Sequence, residues 1–217
     1  MRGKFIVFEG GEGSGKSTAI NEAVTYLKTN HDAPVIKTRE PGGTPNAEII
    51  RSILITEGAT YDSISNTLLF ATARRDHVEK QIRPSLEAGF WVVCDRYFLS
   101  TLAYQGAEGV DPDFIRSLHA STTGDLLPDH TIILDVDPRI GLERSIGRLS
   151  QERNSENRFE GYDLAFHDRM RSTMLAYDLS PRTVIDASRS QDLVLADVID
   201  VLKGMLPSSQ SVENTTT

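Results

Sequence analysis

Residues Phe8–Thr18 read FEGGEGSGKST, in which the end of an apolar run meets a burst of glycines, one lysine and two hydroxyl side chains. The part from Gly10 to Ser17 fits the pattern G-x-x-x-x-G-K-[ST]. Glycines let successive backbone N–H groups converge on an anion, and a helix that starts here directs its positive end at the same point. Because a strand pattern precedes this stretch and a helical pattern follows it, the stretch is typical of a loop that cradles the phosphates of a nucleotide.

The polar groups of this loop have distinct expected tasks. Lys16 is expected to reach the β and γ phosphates, Ser17 to bind Mg²⁺ through its hydroxyl, and Thr18 to offer a second hydroxyl near the α phosphate. A glycine-rich turn with a chance lysine is the alternative, which the flanking strand and helix disfavour. The sequence therefore predicts ATP and Mg²⁺ as cofactors. The predicted nucleotide-binding residues are Gly10, Gly11, Glu12, Gly13, Ser14, Gly15, Lys16, Ser17 and Thr18.

Apolar runs that favour strands alternate with amphipathic stretches along the chain. Strands are predicted at Phe5–Phe8, Val35–Thr38, Trp91–Cys94, Thr131–Val136 and Thr183–Asp186. Helices are predicted at Ser17–Asn30, Asn46–Thr56, Ser63–Ala88, Asp113–Thr122, Pro138–Arg148, Ala165–Leu179 and Asp192–Leu206. This order predicts a three-layer α/β/α P-loop NTPase fold with a five-stranded parallel sheet. Residues 1–206 are expected to form a single domain, and the polar residues 207–217 (PSSQSVENTTT) a disordered tail.

Composition restricts the partners. The net charge of −8 argues against a nucleic acid, which usually needs a basic face. No stretch approaches the roughly 20 apolar residues of a membrane span. The single cysteine, Cys94, cannot form an internal disulfide, which favours a cytoplasmic location.

Two further features bear on the phosphates. Asp95 follows the third predicted strand, where ligands of such sheets bind, and is expected to hold Mg²⁺ directly or through water. Asp135 also ends a strand, but it is less favoured because a helix start at Pro138 follows closely. Ser150–Asn157 (SQERNSEN) contains no apolar residue and fits either a solvated surface loop or a mobile lid, about residues 148–160, that carries arginines to a phosphate.

Three motifs narrow the function. TREPGGT follows the second predicted strand at Thr38–Thr44, DRY follows the third at Asp95–Tyr97, and AYQG lies at Ala103–Gly106. Together they resemble thymidylate kinase of the bacterial type, and the resemblance runs from Lys4 to Leu206. It implies ATP-dependent phosphorylation of dTMP to dTDP by a homodimer. Two alternatives stay open, a kinase for several deoxynucleoside monophosphates and a non-catalytic P-loop protein that binds ATP to regulate a partner.

The resemblance also implies how the acceptor is bound. Phe70 would stack on the thymine ring and Arg74, one helical turn later, would bond the edge of that ring; core packing is the alternative for Phe70. Arg96 would hold the acceptor phosphate with Arg39 nearby, and Tyr104 would exclude a ribose 2′-hydroxyl. The implied substrate-binding residues are Glu12, Arg39, Phe70, Arg74, Arg96, Thr101, Tyr104 and Gln105.

The donor side and catalysis are implied in the same way. Glu12 would accept a hydrogen bond from the 3′-hydroxyl of the acceptor, while Arg144 and Ala187 match the adenine side. Gly13 stands where the eukaryotic branch has an arginine, so the catalytic arginine is expected from the lid. The implied catalytic residues are Glu12, Lys16, Arg96, Arg148 and Arg153, with Arg148 the first choice of the two in the lid.

Overall fold

The structure is a computed structural model that describes residues 2–56, 61–149 and 162–206. Its centre is a five-stranded sheet in the order β2-β3-β1-β4-β5, and all four strand pairs are parallel. The strands are β1 (Phe5–Gly10), β2 (Val35–Arg39), β3 (Trp91–Asp95), β4 (His130–Asp135) and β5 (Arg182–Asp186). The predicted three-layer α/β/α fold is confirmed, and the carboxyl ends of β1, β2 and β3 meet at one edge of the sheet.

Helices cover both faces of the sheet. They are α1 (Lys16–Asn30), α2 (Pro45–Ile55), α3 (Ser63–His77), α4 (Arg83–Glu87), α5 (Phe98–Ala107), α6 (Pro112–Thr123), α7 (Pro138–Leu149), α8 (Leu164–Ala176) and α9 (Gln191–Met205). The central strand β1 shows the division, since Ile6 and Phe8 pack against α1 and α9 while Phe5 and Val7 pack against α5 and α8. Side chains alternate along a strand, so an unbroken apolar run builds both cores.

The structure corrects two of the predicted helices. The helix predicted at Ser63–Ala88 is interrupted by a π-helical turn at Val78–Ile82, where the N–H of Arg83 bonds the carbonyl of Val78. Pro84 follows directly and has no N–H to continue the α-helical ladder, which explains the local change of register. The helix predicted to reach Leu179 ends at Ala176.

One helix, α5, was not predicted at all. Most of its residues are buried, including polar ones such as Thr101 and Gln105, so its sequence FLSTLAYQGA has no polar face and no helical period. This matters for the site, because α5 lines it.

The described part of the chain holds no helix with both the length and the apolar character that crossing a membrane requires. The predicted lid beyond α7 and the predicted tail, residues 207–217, lie outside the described residues.

Candidate active site

The loop between β1 and α1 is shaped by glycine. Gly15 caps α1 in a left-handed conformation (φ 85°, ψ 15°) and has no side chain, so the first N–H groups of the helix remain available to an anion. Gly13 also has a positive φ of 66°, and a Cβ there would lie 2.0 Å from the carbonyl oxygen of Gly141 in α7. The tip of the loop therefore packs directly against the backbone of α7, which only glycine permits.

Lys16 folds back over this loop. Its Nζ donates to the carbonyl oxygens of Gly10, at 2.9 Å, and Gly11, at 3.0 Å. Burial, together with the charge of Arg96, lowers the pKa of Lys16 to about 8 even though Glu12 opposes the change. An incoming phosphate would add negative charge beside Lys16 and so favour its charged form.

Glu12 joins the loop to the opposite wall of the site. Its Oε1 accepts hydrogen bonds from Arg96 Nη2, at 2.9 Å, and from the hydroxyl of Tyr104, at 2.8 Å. Burial alone would raise the pKa of Glu12, but the charges of Arg96 and Lys16 outweigh it and lower the pKa to about 2. Arg96 also donates to the carbonyl of Gly10 at 3.1 Å and lies over the ring of Tyr104. Glu12 is therefore ionised, and its carboxylate is held against α5 although 22% of the side chain is exposed.

A second acid, Glu9, lies directly beneath this cluster and has no solvent exposure. Its Oε1 accepts from the backbone N–H groups of Tyr97, at 2.9 Å, and Ser100, at 3.1 Å, while the hydroxyl of Ser100 donates to Oε2 at 2.6 Å. Burial raises the pKa of Glu9, although the Ser100 hydroxyl and the charge of Arg96 act in the opposite direction. Glu9 thus anchors the start of α5 to the end of β1.

A cavity of about 180 Å³ opens beside the loop. All eight side chains that the resemblance assigned to the acceptor line it: Glu12, Arg39, Phe70, Arg74, Arg96, Thr101, Tyr104 and Gln105. Phe70 is only partly buried and faces this cavity, so it is available for more than core packing. The wall of the cavity contains both cationic and aromatic side chains, which suits an anionic ligand that carries an aromatic ring.

Arg74 is held by a buried network. Its Nε bonds Glu40 Oε2 at 2.7 Å, and its Nη2 donates to Thr101 Oγ1 at 2.9 Å. Glu40 also bonds His77 Nδ1 at 3.0 Å, and His77 Nε2 lies 2.7 Å from the hydroxyl of Thr38. Burial would raise the pKa of Glu40, but the charge of Arg74 and the bond to His77 hold it below its ordinary value. The network fixes Arg74 at the wall of the cavity before any ligand binds.

The oxygen atoms near the loop fit Mg²⁺. Ser17 is exposed at the first turn of α1, and Asp95 lines the cavity at the end of β3. Within the described residues, Asp95 Oδ1 is buried and has no hydrogen-bond partner, as a carboxylate oxygen meant for a cation would be. The rival acid, Asp135, is engaged by Arg171 through two bonds of 2.6 and 2.8 Å. The described part of the chain contains no group of three or more His, Cys, Asp or Glu side chains that could hold a metal ion.

A family model for thymidylate kinase matches residues 8–198. This chain belongs to the thymidylate kinase family. It is 45% identical over 208 residues to the thymidylate kinase of Nitrobacter hamburgensis, with 94% of this chain and 89% of that one covered. It is 44% identical over 209 residues to that of Magnetococcus marinus, covering 94% of this chain and 97% of the relative.

The fold comparison agrees with the membership. The crystal structure of thymidylate kinase from Ehrlichia chaffeensis superposes with a TM-score of 0.73 at 33% identity, covering 93% of this chain and 99% of that one. The resemblance inferred from TREPGGT, DRY and AYQG is confirmed, and the chain is a nucleotide-binding kinase.

The donor-side residues of this thymidylate kinase family member are only partly described. Arg144 Nη1 donates to the carbonyl of Ala187 at 2.7 Å, and Nη2 to that of Ser188 at 3.1 Å, so the two residues predicted for the adenine side are neighbours. The side chain of Arg148 and the whole of Arg153 lie outside the described residues.

Four residues of the site escaped the sequence analysis. Glu40 stands inside TREPGGT but received no role, and Glu9 is an acid inside an apolar run, which is itself a signal of a buried carboxylate. Ser100 and Arg51 line the cavity, and Arg51 donates to the carbonyl of Pro41 at 2.7 Å. No local pattern distinguishes these two from ordinary helical residues.

Proposed function

We propose that this protein transfers the γ-phosphoryl group of ATP to dTMP, which yields ADP and dTDP. The observation that carries the proposal is one cavity, next to a phosphate-binding loop, that is lined by arginines and by Phe70 and Tyr104. A nucleoside monophosphate needs such a pairing of cations with an aromatic surface. Membership of the thymidylate kinase family supports thymine as the base and ATP as the donor.

The acceptor would lie along the cavity from base to phosphate. Phe70 would stack on thymine, with Arg74, Thr101 and Gln105 near the edge of the ring. Arg96 and Arg39 would hold the phosphate at the end nearer the loop. Arg39 is available for this role because its pair with Glu48, at 3.1 Å, is half exposed and is worth little in water.

The sugar would meet Glu12 and Tyr104. Their hydrogen bond of 2.8 Å fixes the phenol beside the carboxylate, which supports a 3′-hydroxyl bonded to Glu12 and a tyrosine ring in the space of a 2′-hydroxyl. Since Tyr104 is 4% exposed and cannot swing into solvent, a ribonucleotide would have to displace a packed ring.

The chemistry is an in-line attack of an acceptor phosphate oxygen on the γ-phosphorus, and it needs no general base. The second pKa of a phosphate monoester is about 6, so the nucleophile is already mostly dianionic at neutral pH. The barrier is the repulsion between two polyanions, which Lys16, the loop N–H groups and Arg96 would reduce. Mg²⁺ held by Ser17 and Asp95 would supply further positive charge at the β and γ phosphates.

The donor side extends the proposal to residues 144–160. Arg144 and Ala187 would contact adenine, and residues 148–160 would form a lid within a single domain. Arg148, or failing that Arg153, would contact the transferring phosphoryl group. An arginine in this role is worth about 10³–10⁵ in rate, so Arg148→Ala should lower kcat steeply with little change in the KM for dTMP. A rise in KM with kcat intact would show that Arg148 only binds.

A homodimer in the cytoplasm completes the proposal. Helices α2 and α3 expose Ile49 (62%), Ile53 (37%), Ile64 (45%) and Leu68 (45%). Each helix contributes two of these residues one turn apart, so they form apolar stripes on neighbouring helices. Such a surface is typical of an interface between copies of a chain. Sedimentation of the wild type and of an Ile49→Lys/Leu68→Lys variant would test this assembly.

An acceptor panel tests the activity itself. Purified protein with ATP and Mg²⁺ is offered dTMP, dUMP, dGMP and the ribonucleotide of thymine, and ADP release is measured beside a Lys16→Ala control. We expect turnover to be fastest with dTMP and nearly absent in the control. Comparable rates with several deoxynucleotides would indicate a broader monophosphate kinase. ATP binding with no acceptor-dependent ADP release would contradict the proposal and indicate a regulator.

A further inference from the structure

We propose that Glu9 is a positioning residue for the acceptor site, because its carboxylate fixes the direction of the Ser100 hydroxyl and, through it, the guanidinium of Arg96. The inference rests on the proposed function in one respect, the role of Arg96 as a ligand of the acceptor phosphate. Glu9 itself has no exposure to the cavity or to solvent.

The first part of the argument concerns the start of α5. Tyr97, the residue that caps α5, provides no side-chain hydrogen bond to the helix. Glu9 replaces that cap from a different element, β1, since its Oε1 accepts the N–H groups of both Tyr97 and Ser100. A carboxylate at the positive end of a helix is stabilised by the helix dipole. One oxygen of Glu9 is thereby fully used, and Oε2 is left for the Ser100 hydroxyl.

The second part concerns the direction of hydrogen bonds. Ser100 Oγ lies between Glu9 Oε2, at 2.6 Å, and Arg96 Nη1, at 3.2 Å. An ionised carboxylate can only accept, a guanidinium can only donate, and a hydroxyl has one proton. With Glu9 in its ionised form, the proton points to Glu9 at 2.6 Å, which turns the lone pairs of Ser100 towards Arg96. The chain Arg96 to Ser100 to Glu9 has a single allowed direction.

The third part concerns the backbone of Arg96. It has a φ of 64°, a left-handed conformation that is strained for a residue with a side chain. The next N–H along the chain, that of Tyr97, is the one that Glu9 accepts at 2.9 Å. Glu9 thus holds both the peptide that follows Arg96 and the hydroxyl that its guanidinium contacts.

An isosteric change separates this role from simple packing. Glu9→Gln keeps the shape and can keep an oxygen on the two backbone N–H groups, but it places an amide donor against Ser100. The hydroxyl must then accept from the amide and point its own proton elsewhere, which removes its fixed lone pair from Arg96. A companion variant, Ser100→Ala, removes the same contact and leaves the capping carboxylate in place.

The test measures dTMP binding by titration calorimetry in the wild type, Glu9→Gln, Ser100→Ala and the double variant, and repeats the two single changes in an Arg96→Ala background. We expect each single change to weaken dTMP binding about tenfold, the size expected when one hydrogen bond to a charged group is loosened. The double variant should bind dTMP about as tightly as the single variant with the lower affinity, because both changes remove the same contact. In the Arg96→Ala background both changes should have less than about a twofold effect.

Several results would overturn the inference. These are unchanged dTMP binding in Glu9→Gln, fully additive effects, or equal losses with and without Arg96. If Glu9→Gln does not fold, Ser100→Ala in the two backgrounds decides alone. If the wild type binds no dTMP, the proposed function fails instead, and the coupling of Glu9 to Ser100 is then measured by urea unfolding of the same variants. If the losses of stability in the two single variants add up in the double variant, the proposed coupling of Glu9 to Ser100 is also refuted.

Discussion

The buried pair of Glu40 and Arg74 gives the sharpest quantitative prediction. Both side chains are 4% exposed, and Arg74 Nε lies 2.7 Å from Glu40 Oε2. In Glu40→Gln the amide oxygen can still accept from Arg74, while the amide nitrogen can donate to His77 if the imidazole changes its tautomer. The hydrogen bonds therefore survive, and what is lost is the negative charge beside a buried guanidinium.

The size of this loss follows from the burial. At 2.7 Å and an effective dielectric constant of about 20, the attraction between the two charges is on the order of 6 kcal/mol. Breaking such a buried pair from one side typically costs about 3–5 kcal/mol, because the remaining charge keeps its desolvation penalty. We take about 3 kcal/mol as the expected loss in free energy of unfolding, since the glutamine retains its hydrogen bonds.

A neighbouring ion pair provides the matched control. Glu48 pairs with Arg39 at 3.1 Å, but the two side chains are 41% and 52% exposed. Exposed pairs contribute about 0–1 kcal/mol, so Glu48→Gln should cost less than about 1 kcal/mol.

Both variants are unfolded in urea at pH 7.5, and dTMP binding is measured on the folded proteins. Glu40→Gln should also weaken dTMP binding on the order of tenfold, because Arg74 loses the partner that orients it. Equal stabilities of the two variants would refute the argument from burial.

Three further experiments test other parts of the structure. Phe70→Ala should weaken dTMP binding by about 1–3 kcal/mol and leave ATP binding unchanged in calorimetry, as expected when a stacking surface is removed; unchanged dTMP binding would return Phe70 to core packing. Gly13→Ala and Gly15→Ala both introduce a side chain at positive φ, but only the first places a Cβ 2.0 Å from the oxygen of Gly141, so its urea midpoint should fall further. Burial is the main cause that lowers the pKa of His119 from 6.5 to about 3. Between these two pH values His119 is therefore protonated in the unfolded state but neutral in the folded state. The free energy of unfolding should therefore fall by about 2 kcal/mol between pH 8 and pH 5 because of this residue. In His119→Gln the free energy of unfolding should fall by about 2 kcal/mol less over the same pH range.

Local pattern predicted the parts of the molecule that local chemistry determines. The loop from Gly10 to Ser17 needs glycines, a lysine and a hydroxyl at fixed spacing. Its position, the strand before it and the helix after it could therefore be predicted from the sequence. The strands were readable because a sheet covered on both faces demands unbroken apolar runs. The helix α5 was not, because a helix buried on all sides has no polar face to mark its period.

The supporting acids were missed for a different reason. Glu9 bonds residues 88 and 91 positions away, and Glu40 bonds residues 34 and 37 positions away. No spacing rule reaches across such separations, because the contacts exist only once parallel strands bring their carboxyl ends to one edge. What the sequence does show is an acid inside an apolar run, Glu9, and an acid before a Pro-Gly-Gly stretch, Glu40.

These two acids explain how the site can hold several arginines without a ligand. A cavity that binds a phosphate must collect cations, and cations that face each other repel unless something negative lies between them. Glu40 supplies that charge to Arg74 from the carboxyl end of β2, and Glu9, in its ionised form, supplies it to Arg96 from the carboxyl end of β1; neither acid occupies the cavity. Glu12 differs, because it pairs with Arg96 from the loop side and is itself expected to meet the acceptor sugar. An acceptor that binds would thus compete only for the contact made by Glu12, while the two buried acids keep their arginines aimed. The site is preorganised by charges that the substrate never displaces, and this arrangement limits the reorganisation that phosphoryl transfer requires.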